Sequence, residues 1–417
     1  MTQTLILPAA GLPPSFKSRV AERIAGSRDP LARLRAGREL ELYYEAGDPH
    51  SQLCAALARK LLPRLKIPLR IRVVAAPDAA TYPEEARQRA FAARDAARIA
   101  PCHKLRAPIA IPPEQRAAFA ARLCAAGDTE RLLQTASECL AAIAAGKPLT
   151  ADAAAMRNAE TTLAANAARR RRLGHYLPAM WQYRGEWFWA LDRLDLLAAR
   201  LHADRALQDD APLTNFDPGK LAEPAAAPGT PLEFWYSFRS PYSYLAAVEL
   251  LRRRQQGGYA NLQIRPVLPM VMRGLPVPRI KRLYIVRDVK RCADRLGIAF
   301  GRIHDPVGDG VLRLLTIYPY DADADTQLRY CAVAGQTVWA EGLDATRDDV
   351  LRSVLERCGL DWHVAQKKLA AGFDTKTAEA HREALFAAGL WGVPSFRLGD
   401  FTTWGRDRIW MLDRLLD

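Results

Sequence analysis

The chain has 417 residues, of which 49% are hydrophobic and 25% are charged. This length is too great for one ordinary core and the composition excludes a disordered chain, so we expect two globular domains of about 150–200 residues each. Lysine and arginine outnumber aspartate and glutamate by 60 to 46, for a formal net charge of +14. The arginines are spread along the chain, and the densest run, residues 169–172, has no interleaved aromatic residues. The charge therefore favours anionic small molecules as partners and argues against nucleic acid.

The N-terminal residues and the cysteines bear on the compartment. Residues 1–26 contain no apolar run long enough for a signal peptide, and no window approaches the ~20 apolar residues of a membrane span. The seven cysteines are widely spaced and no two form a CxxC pair. This pattern predicts reduced thiols, no disulfide framework and no metal site. We therefore expect a cytoplasmic protein that does not enter a membrane.

The two halves of the sequence resemble each other. Residues 40–51 align with residues 232–243, 192 positions later, and residues 69–74 align with residues 262–267, 193 positions later. The identical or paired residues are Leu40/Leu232, Glu41/Glu233, Tyr44/Tyr236, Pro49/Pro241, Ser51/Ser243 and, at the offset of 193, Arg94-Asp95/Arg287-Asp288. Offsets that hold steady in the same order indicate an internal repeat.

The ends of the two halves also align. Leu177-Pro178 matches Val393-Pro394 at an offset of 216, and Trp189 matches Trp404 at an offset of 215. The sequence therefore predicts a tandem duplication whose second copy has extra residues in its middle. A stretch rich in proline, alanine and aspartate separates the copies and reads as a linker. The predicted organisation is an N-terminal arm (1–37), a first domain (38–207), the linker (208–230) and a second domain (231–417).

The second copy predicts an α/β fold. Its expected elements, in chain order, are a strand at Leu232–Phe238, a helix with Ser240 as N-cap and Pro241 in its first turn, a strand at Leu262–Leu268, helices between 278 and 370, strands at Pro394–Leu398 and Phe401–Trp404, and a closing helix at Arg406–Leu416. A βαβ unit, a helical insertion and a ββα unit together predict a thioredoxin-like domain with an inserted helical subdomain. The repeat predicts two such domains in tandem.

The second copy also resembles a known group of proteins. Residues 234–246 resemble the opening strand and helix of the DsbA-like superfamily. Its dithiol oxidoreductases begin this helix with CPxC, whereas both thiol positions here are serines, in Ser240-Pro241-Tyr242-Ser243. That sequence, with the segments 392–396 and 404–408, resembles the kappa-class glutathione transferases and the 2-hydroxychromene-2-carboxylate isomerases. The resemblance covers nearly all of residues 232–417.

The resemblance implies thiol chemistry without a protein thiol. Lacking two cysteines, the site cannot cycle between dithiol and disulfide. A helix N-terminus has unpaired N–H groups and a partial positive charge, which favour a thiolate over a neutral thiol. The resemblance implies that glutathione is the cofactor, that its sulfur lies at Ser240, and that the serine hydroxyl donates to the thiolate. The implied activity is an isomerisation or transfer on a hydrophobic or aromatic small-molecule electrophile.

The same resemblance implies further glutathione contacts. The bond between Val393 and Pro394 should be cis, and the backbone of Val393 should pair with the peptide of glutathione. The remaining candidate contacts are Asp407 for the γ-glutamyl ammonium, its neighbour Arg406, and Arg273 or Lys281 for the carboxylates. Ser240 and Asp407 also have a purely structural explanation. Ser240 would then be only an N-cap, and Asp407 an acidic residue that complements the helix dipole.

The first copy differs at the decisive position. Asp48 replaces Ser240, and a carboxylate beside a thiolate raises the pKa of the thiol. His50 is expected to be exposed at the helix start, where it either acts as a base or has no role. This domain then packs on the second domain, shields its site or substitutes for a dimer partner; the alternative to such pairing within the chain is a homodimer. Two alternatives remain for the whole chain: a non-catalytic thioredoxin-like binding or scaffold protein and, disfavoured by the missing CxxC, a disulfide oxidoreductase.

Overall fold

The structure is a computed structural model that describes residues 7, 9–14, 16–26 and 35–416. Two compact units are present. The N-terminal unit is Arg28–Ala222, and the C-terminal unit combines the described parts of Met1–Ser27 and Glu223–Asp417. The boundary between the units falls inside the segment 208–230. Within the described residues, no helix is both long enough and apolar enough to cross a bilayer.

The first helix of the chain, α1 (Phe16–Gly26), belongs to the C-terminal unit. The N-terminal unit has strands β1 (Leu40–Tyr44), β2 (Leu69–Val73), β3 (Met180–Tyr183) and β4 (Glu186–Trp189). Its helices are α2 (Pro49–Leu61), α3 (Glu85–Cys102), α4 (Arg116–Cys124), α5 (Thr129–Ala144), α6 (Ala153–Arg172) and α7 (Leu194–Ala203). The strands form a mixed sheet of order β2-β1-β3-β4, in which only β1 and β2 are parallel.

The C-terminal unit has a second sheet of the same kind. Its strands are β5 (Leu232–Tyr236), β6 (Leu262–Pro266), β7 (Ser395–Leu398) and β8 (Phe401–Trp404), in the order β6-β5-β7-β8. Its helices are α8 (Pro241–Gln255), α9 (Arg279–Leu296), α10 (Asp309–Thr316), α11 (Ala324–Gln336), α12 (Asp348–Glu356), α13 (Trp362–Ala371), α14 (Lys376–Ala387) and α15 (Ile409–Leu416). A π-helical turn, Thr337–Glu341, continues α11. The predicted α/β class and the helical insertion between β6 and β7 are confirmed, although α10, α13 and α14 were not predicted individually.

The two sheets share one strand register. In each sheet the central strand begins with a leucine that faces a leucine of the parallel neighbour: Leu40 faces Leu69, and Leu232 faces Leu262. In the antiparallel pairs, β3 corresponds to β7 at a constant offset of 215, because Met180 faces Tyr43 as Ser395 faces Trp235 and the central strands keep their offset of 192. This constant offset corrects the alignment at Leu177-Pro178.

The residue that corresponds to Pro394 is Ala179, and not Pro178. Ala190 N donates to Ala179 O at 2.8 Å, and Gly405 N donates to Pro394 O at the same distance. In the described part of the chain, Val393-Pro394 is the one cis peptide bond, as predicted, whereas Ala179 has a positive φ of 53°. The alignment at an offset of 216 was wrong because two short apolar–proline sequences look alike, while strand pairing fixes the register.

A buried glutamate lies at the same position of each central strand. Glu41 forms ion pairs with Arg72 of β2 and, at 2.8 Å, with Arg169 of α6. Glu233 forms ion pairs with Arg265 of β6 and Arg397 of β7. A buried carboxylate is costly unless cations compensate it, and here the arginines cross from the neighbouring elements. These pairs tie each central strand to its neighbours.

An aromatic core lies behind the end of β5. Tyr236 and Phe238 are fully buried and meet edge to face, with ring centroids 5.0 Å apart. Phe238 also meets Tyr330 of α11 edge to face at 5.8 Å. The Tyr236 hydroxyl donates to Cys331 O at 2.9 Å, so its polar end is satisfied inside the core. This packing fixes the end of β5, from which the chain turns into α8.

Candidate functional site

Ser240 caps the N-terminus of α8. Its backbone is extended, with φ −106° and ψ 108°, and its Oγ accepts a hydrogen bond from Ser243 N at 3.1 Å. Pro241 is the first residue of the helix, where its missing N–H costs nothing. Ser240 N donates to Ser237 O at 2.9 Å, which closes the turn from β5. Ser240 itself is half-buried, so it is not sealed inside the core.

The loop before β7 lies opposite this helix end. Ser240 Oγ donates to Val393 O at 3.4 Å, across 153 residues of sequence. Pro394 is buried and in the cis form, and Val393 is half-buried. The structure therefore brings together three of the predicted site residues, Ser240, Val393 and Pro394. The serine proton points at a carbonyl of the loop that the sequence assigned to peptide binding.

Two hydroxyls lie beside the cap and have no hydrogen-bond partner among the described residues. They are Ser237 Oγ and Ser243 Oγ, and both side chains are almost completely buried. Ser243 is thus not an exposed polar residue of the helix. Its counterpart Ser51 does have a partner, since Ser51 Oγ donates to Asp48 Oδ2 at 2.7 Å. A buried hydroxyl without a partner is unusual and gives the turn around Ser240 spare hydrogen-bonding capacity.

A second pair holds the first turn of α8. The Tyr242 hydroxyl donates to Asp288 Oδ2 of α9 at 2.6 Å, and Arg291 donates to Asp288 Oδ1 at 3.0 Å. Asp288 is fully buried. Neither Tyr242 nor Asp288 was predicted to belong to the site. A sequence signal for Asp288 was the match of Arg94-Asp95 with Arg287-Asp288, because a carboxylate at the same position of both halves suggests a partner.

The charged candidates lie on other elements. Asp407 is in the 3₁₀ turn Arg406–Arg408, directly after the Gly405 N–Pro394 O hydrogen bond. Arg406 Nε lies 3.4 Å from Asp407 Oδ1 and 3.5 Å from Glu249 Oε2 of α8. Burial raises the pKa of Glu249, while Arg406 lowers it. Arg406 thus neutralises two carboxylates of its own unit.

The two basic candidates after β6 occupy different surroundings. Arg273 ends the 3₁₀ turn Met270–Arg273, and its Cζ lies 5.8 Å from the centroid of the Phe386 ring. Lys281 is in the first turn of α9, and burial lowers the pKa of its ammonium group to about 8. Arg239, next to Ser240, forms a two-point ion pair with Asp305, with both N–O distances at 2.8 Å. Of these cations, Arg239 is adjacent to the cap in sequence, and its charge is already paired with Asp305.

The corresponding turn of the N-terminal unit has different chemistry. Asp48 caps α2, and its Oδ2 accepts from both the N and the Oγ of Ser51 at 2.7 Å. His50 is buried, with only 3% of its surface exposed, and its Nε2 lies 3.4 Å from Asp95 Oδ2. The expectation of an exposed His50 was wrong, because the ring packs toward Asp95 of α3 and the Trp189 ring, 5.2 Å away. The His50–Asp95 pair occupies the place of Tyr242 and Asp288.

Glu45 makes this turn more acidic. It corresponds to Ser237, and burial followed by the charge of Asp48 raises the pKa of its carboxyl to about 7, although Arg89 lowers it in part. Arg89 donates to Glu45 Oε1 with both terminal nitrogens at 3.1 Å. The carboxylate of Asp48 at this helix end repels a thiolate, and Glu45 adds a second negative charge only as the pH rises above about 7.

We expect the stability of the N-terminal unit to fall as the pH rises from about 4.5 to about 7. The folded state holds a proton on Glu45 that the unfolded chain, with an ordinary pKa of 4.5, has already released. The stabilisation is complete below the unfolded pKa and is lost as the pH rises through the folded one. Urea unfolding at a series of pH values should show this slope, and Glu45→Gln should flatten it. An unchanged slope in the variant would show that another group titrates.

Comparison with known proteins agrees with this architecture in the C-terminal unit. Residues 231–417 match the family model of the DSBA-like thioredoxin domain. The C-terminal half of the chain thus carries a DsbA-like thioredoxin domain.

Its curated relatives are more specific. The 2-hydroxychromene-2-carboxylate isomerase of Pseudomonas putida is 26% identical over 189 residues, which are 44% of this chain and 92% of that protein. The protein of the same name from Pseudomonas sp. (strain C18) is 25% identical and is covered to 88%, and that from Sphingobium xenophagum is 23% identical and is covered to 97%. The C-terminal half is therefore homologous to 2-hydroxychromene-2-carboxylate isomerases.

Two solved structures are similar to part of the chain at low TM-scores. A 2-hydroxychromene-2-carboxylate isomerase matches with 27% identity and a TM-score of 0.35, over 44% of this chain and 92% of that one. A probable DsbA oxidoreductase from Streptomyces coelicolor matches with 16% identity and a TM-score of 0.33, over 44% and 88%.

Proposed function

We propose that the C-terminal unit is a glutathione-dependent isomerase or transferase of the 2-hydroxychromene-2-carboxylate isomerase and kappa type. One observation carries the proposal: a hydroxyl, and not a thiol, caps the half-buried N-terminus of α8 opposite the loop at the cis proline. The relatives that share this half of the chain are named isomerases, which supports an enzyme.

The cap can stabilise a thiolate supplied by a cofactor. The positive end of α8 favours an anion at Ser240, and the hydroxyl can turn from Val393 O to donate to sulfur. A free thiol has a pKa near ~8.5, so lowering it increases the fraction of nucleophile at neutral pH. The serine acts as a donor and is not itself the nucleophile.

An isomerisation would return glutathione unchanged, whereas a transfer would consume it. Glutathione held at the cap would supply a thiolate nucleophile for reversible addition to an electrophilic carbon of a hydrophobic or aromatic substrate, so that elimination after a bond rotation or a ring opening would leave the thiol unchanged. In a transfer, the new carbon–sulfur bond would remain in the product, and the substrate would either take up the proton lost by the thiol or release a leaving group with its bonding electron pair. The Val393 backbone would hold the peptide of glutathione, Asp407 its ammonium group, and Arg273 or Lys281 its carboxylates. Arg406 would act indirectly, since it already pairs with Glu249 and Asp407.

We propose that the N-terminal unit arose by duplication of the same domain and lost this chemistry. The two sheets share their strand order and register, and both central strands keep the buried glutamate. The acid cap Asp48 and the neighbouring Glu45 are unsuited to a thiolate. The N-terminal unit favours a second candidate function for the chain, which is binding or scaffolding without catalysis.

Calorimetric titration of the full chain with glutathione tests the proposal. We expect one site per chain and, by the ultraviolet absorbance of the thiolate, a bound thiol whose pKa is at least about one unit below ~8.5. S-methylglutathione is the control, since it keeps the peptide but has no proton to lose. Absence of binding, or binding without a shift in the thiol pKa, would leave the non-catalytic alternative.

A further inference from the structure

We propose that the N-terminal arm, the described residues of 7–26, is a positioning element of the C-terminal site. It clamps the two segments of the C-terminal unit, residues 299–305 and 336–342, that hold the turn Phe238–Ser240 in place. The link to activity rests on the proposed function, whereas the clamp itself does not.

The arm docks through a close contact with a glycine. Helix α1 packs against α9, and Ser18 is completely buried. Gly342 has a φ of 69°, and a Cβ added there would lie 2.3 Å from Ser18 Cβ and 2.6 Å from its Oγ. No side chain fits at residue 342 while Ser18 occupies this place. Gly342 is therefore part of a seat for the arm.

Polar contacts join the arm to both clamped segments. Glu22 Oε2 accepts from Arg302 Nε at 3.1 Å, and Gln336 Nε2 donates to Leu7 O at 3.4 Å. The Glu22–Arg302 pair is about half exposed and so contributes little stability by itself. Close packing of Ser18 on Gly342 therefore fits the arm to this place, and the polar pairs fix its register.

The two segments are bonded to each other beneath the arm. Gly301 N donates to Trp339 O at 2.9 Å, and His304 N donates to Val338 O at 2.8 Å. The rings of Phe300 and Trp339 stack with centroids 6.4 Å apart. The arm therefore covers a single assembly in which a loop and the π-helical turn hold each other.

This assembly contacts the residues on both sides of Ser240. Trp339 Nε1 donates to Phe238 O at 3.2 Å, and Arg239 pairs with Asp305 at 2.8 Å through two nitrogens. On the helix side, the Tyr244 hydroxyl donates to Ala299 O at 3.0 Å. A loosened assembly would let Phe238 and Arg239 shift, and the Ser240 hydroxyl would shift with them.

The test is Gly342→Ala, with Gly359→Ala as its matched control. Both glycines are left-handed, with φ of 69° and 72°, but nothing lies within 4 Å of a Cβ at residue 359. Both variants carry the same backbone strain, whereas only Gly342→Ala displaces Ser18 of the arm; its Cβ also lies 3.2 Å from the carbonyl carbon of Arg302, a contact that a shift of a few tenths of an ångström relieves. We expect Gly342→Ala to speed amide exchange at Gly301, His304 and Ser240 by about tenfold, and Gly359→Ala to leave it near the wild-type rate.

The functional readouts on the same variants are the thiol pKa of bound glutathione and its KM. We expect Gly342→Ala to raise both, because the hydroxyl no longer faces the sulfur, and Gly359→Ala to change neither. Equal exchange in the two variants overturns the clamp. Faster exchange at Gly301 and His304 with an unchanged Ser240 amide overturns the positioning role and leaves a purely structural arm. The exchange readout needs no ligand, so failure of the wild-type chain to bind glutathione would overturn the proposed function alone.

Discussion

Replacing Ser240 with aspartate should sharply lower the thiol-dependent activity and leave the fold intact. An aspartate already caps the corresponding helix of the N-terminal unit, where Asp48 accepts two hydrogen bonds from Ser51. An aspartate at residue 240 gains the same partners, Ser243 N and the buried Ser243 Oγ, which has no partner among the described residues. We therefore expect the free energy of unfolding to change by less than about 1 kcal/mol.

The activity of this variant should fall by about 100-fold at neutral pH. A carboxylate in contact with the sulfur replaces a hydroxyl donor by a negative charge, which raises the thiol pKa by about two units. The measurements are the thiolate absorbance of bound glutathione and kcat/KM over a range of pH. Ser240→Thr is the control, since it keeps both the cap and the donor and should remain within about tenfold of the wild-type activity. Full activity in Ser240→Asp would show that the sulfur binds elsewhere.

Glu41→Gln should destabilise the N-terminal unit by about 3 kcal/mol. The carboxylate is completely buried and meets Arg72 and Arg169, and it accepts from the Tyr43 hydroxyl at 3.0 Å. The amide keeps the volume but removes the charge that compensates two arginines held between elements of the unit. Urea unfolding, followed by hydrogen exchange in peptides from the N-terminal unit, reports this loss separately from the other unit.

An exposed ion pair supplies the control for Glu41. Glu379 and Arg382 form a pair one turn apart on α14, with both side chains partly exposed. Glu379→Gln should cost less than about 0.5 kcal/mol, because water replaces the lost partner. If Glu41→Gln and Glu379→Gln cost the same, the buried glutamates of the central strands do not stabilise the sheets in the way we infer.

Much of the local structure was readable from the sequence. The Ser240-Pro241 cap, the four strands of the second copy and the cis bond at Val393-Pro394 all agree with the structure. Caps and short buried strands depend on residues within a few positions of each other, so a short sequence carries the information. The domain and its isomerase relatives were predicted on the same short motifs.

The contacts that decide chemistry were not readable in the same way. His50 is buried against Asp95, and the Tyr242 hydroxyl bonds to Asp288, 46 residues away in sequence. In the first sheet, Ala179 occupies the position that Pro394 has in the second sheet. Each depends on packing between elements far apart in sequence, which local patterns do not encode.

By itself, then, the sequence determined the α/β class and the hydroxyl cap, because these follow from neighbouring residues. Only the tertiary structure decided which distant groups come into contact. Arg406 pairs with Glu249, Glu45 lies beside Asp48, and the N-terminal arm packs on Gly342. The physical reason is that burial sets the strength of a charge or hydrogen bond, and burial is a property of the whole packed unit.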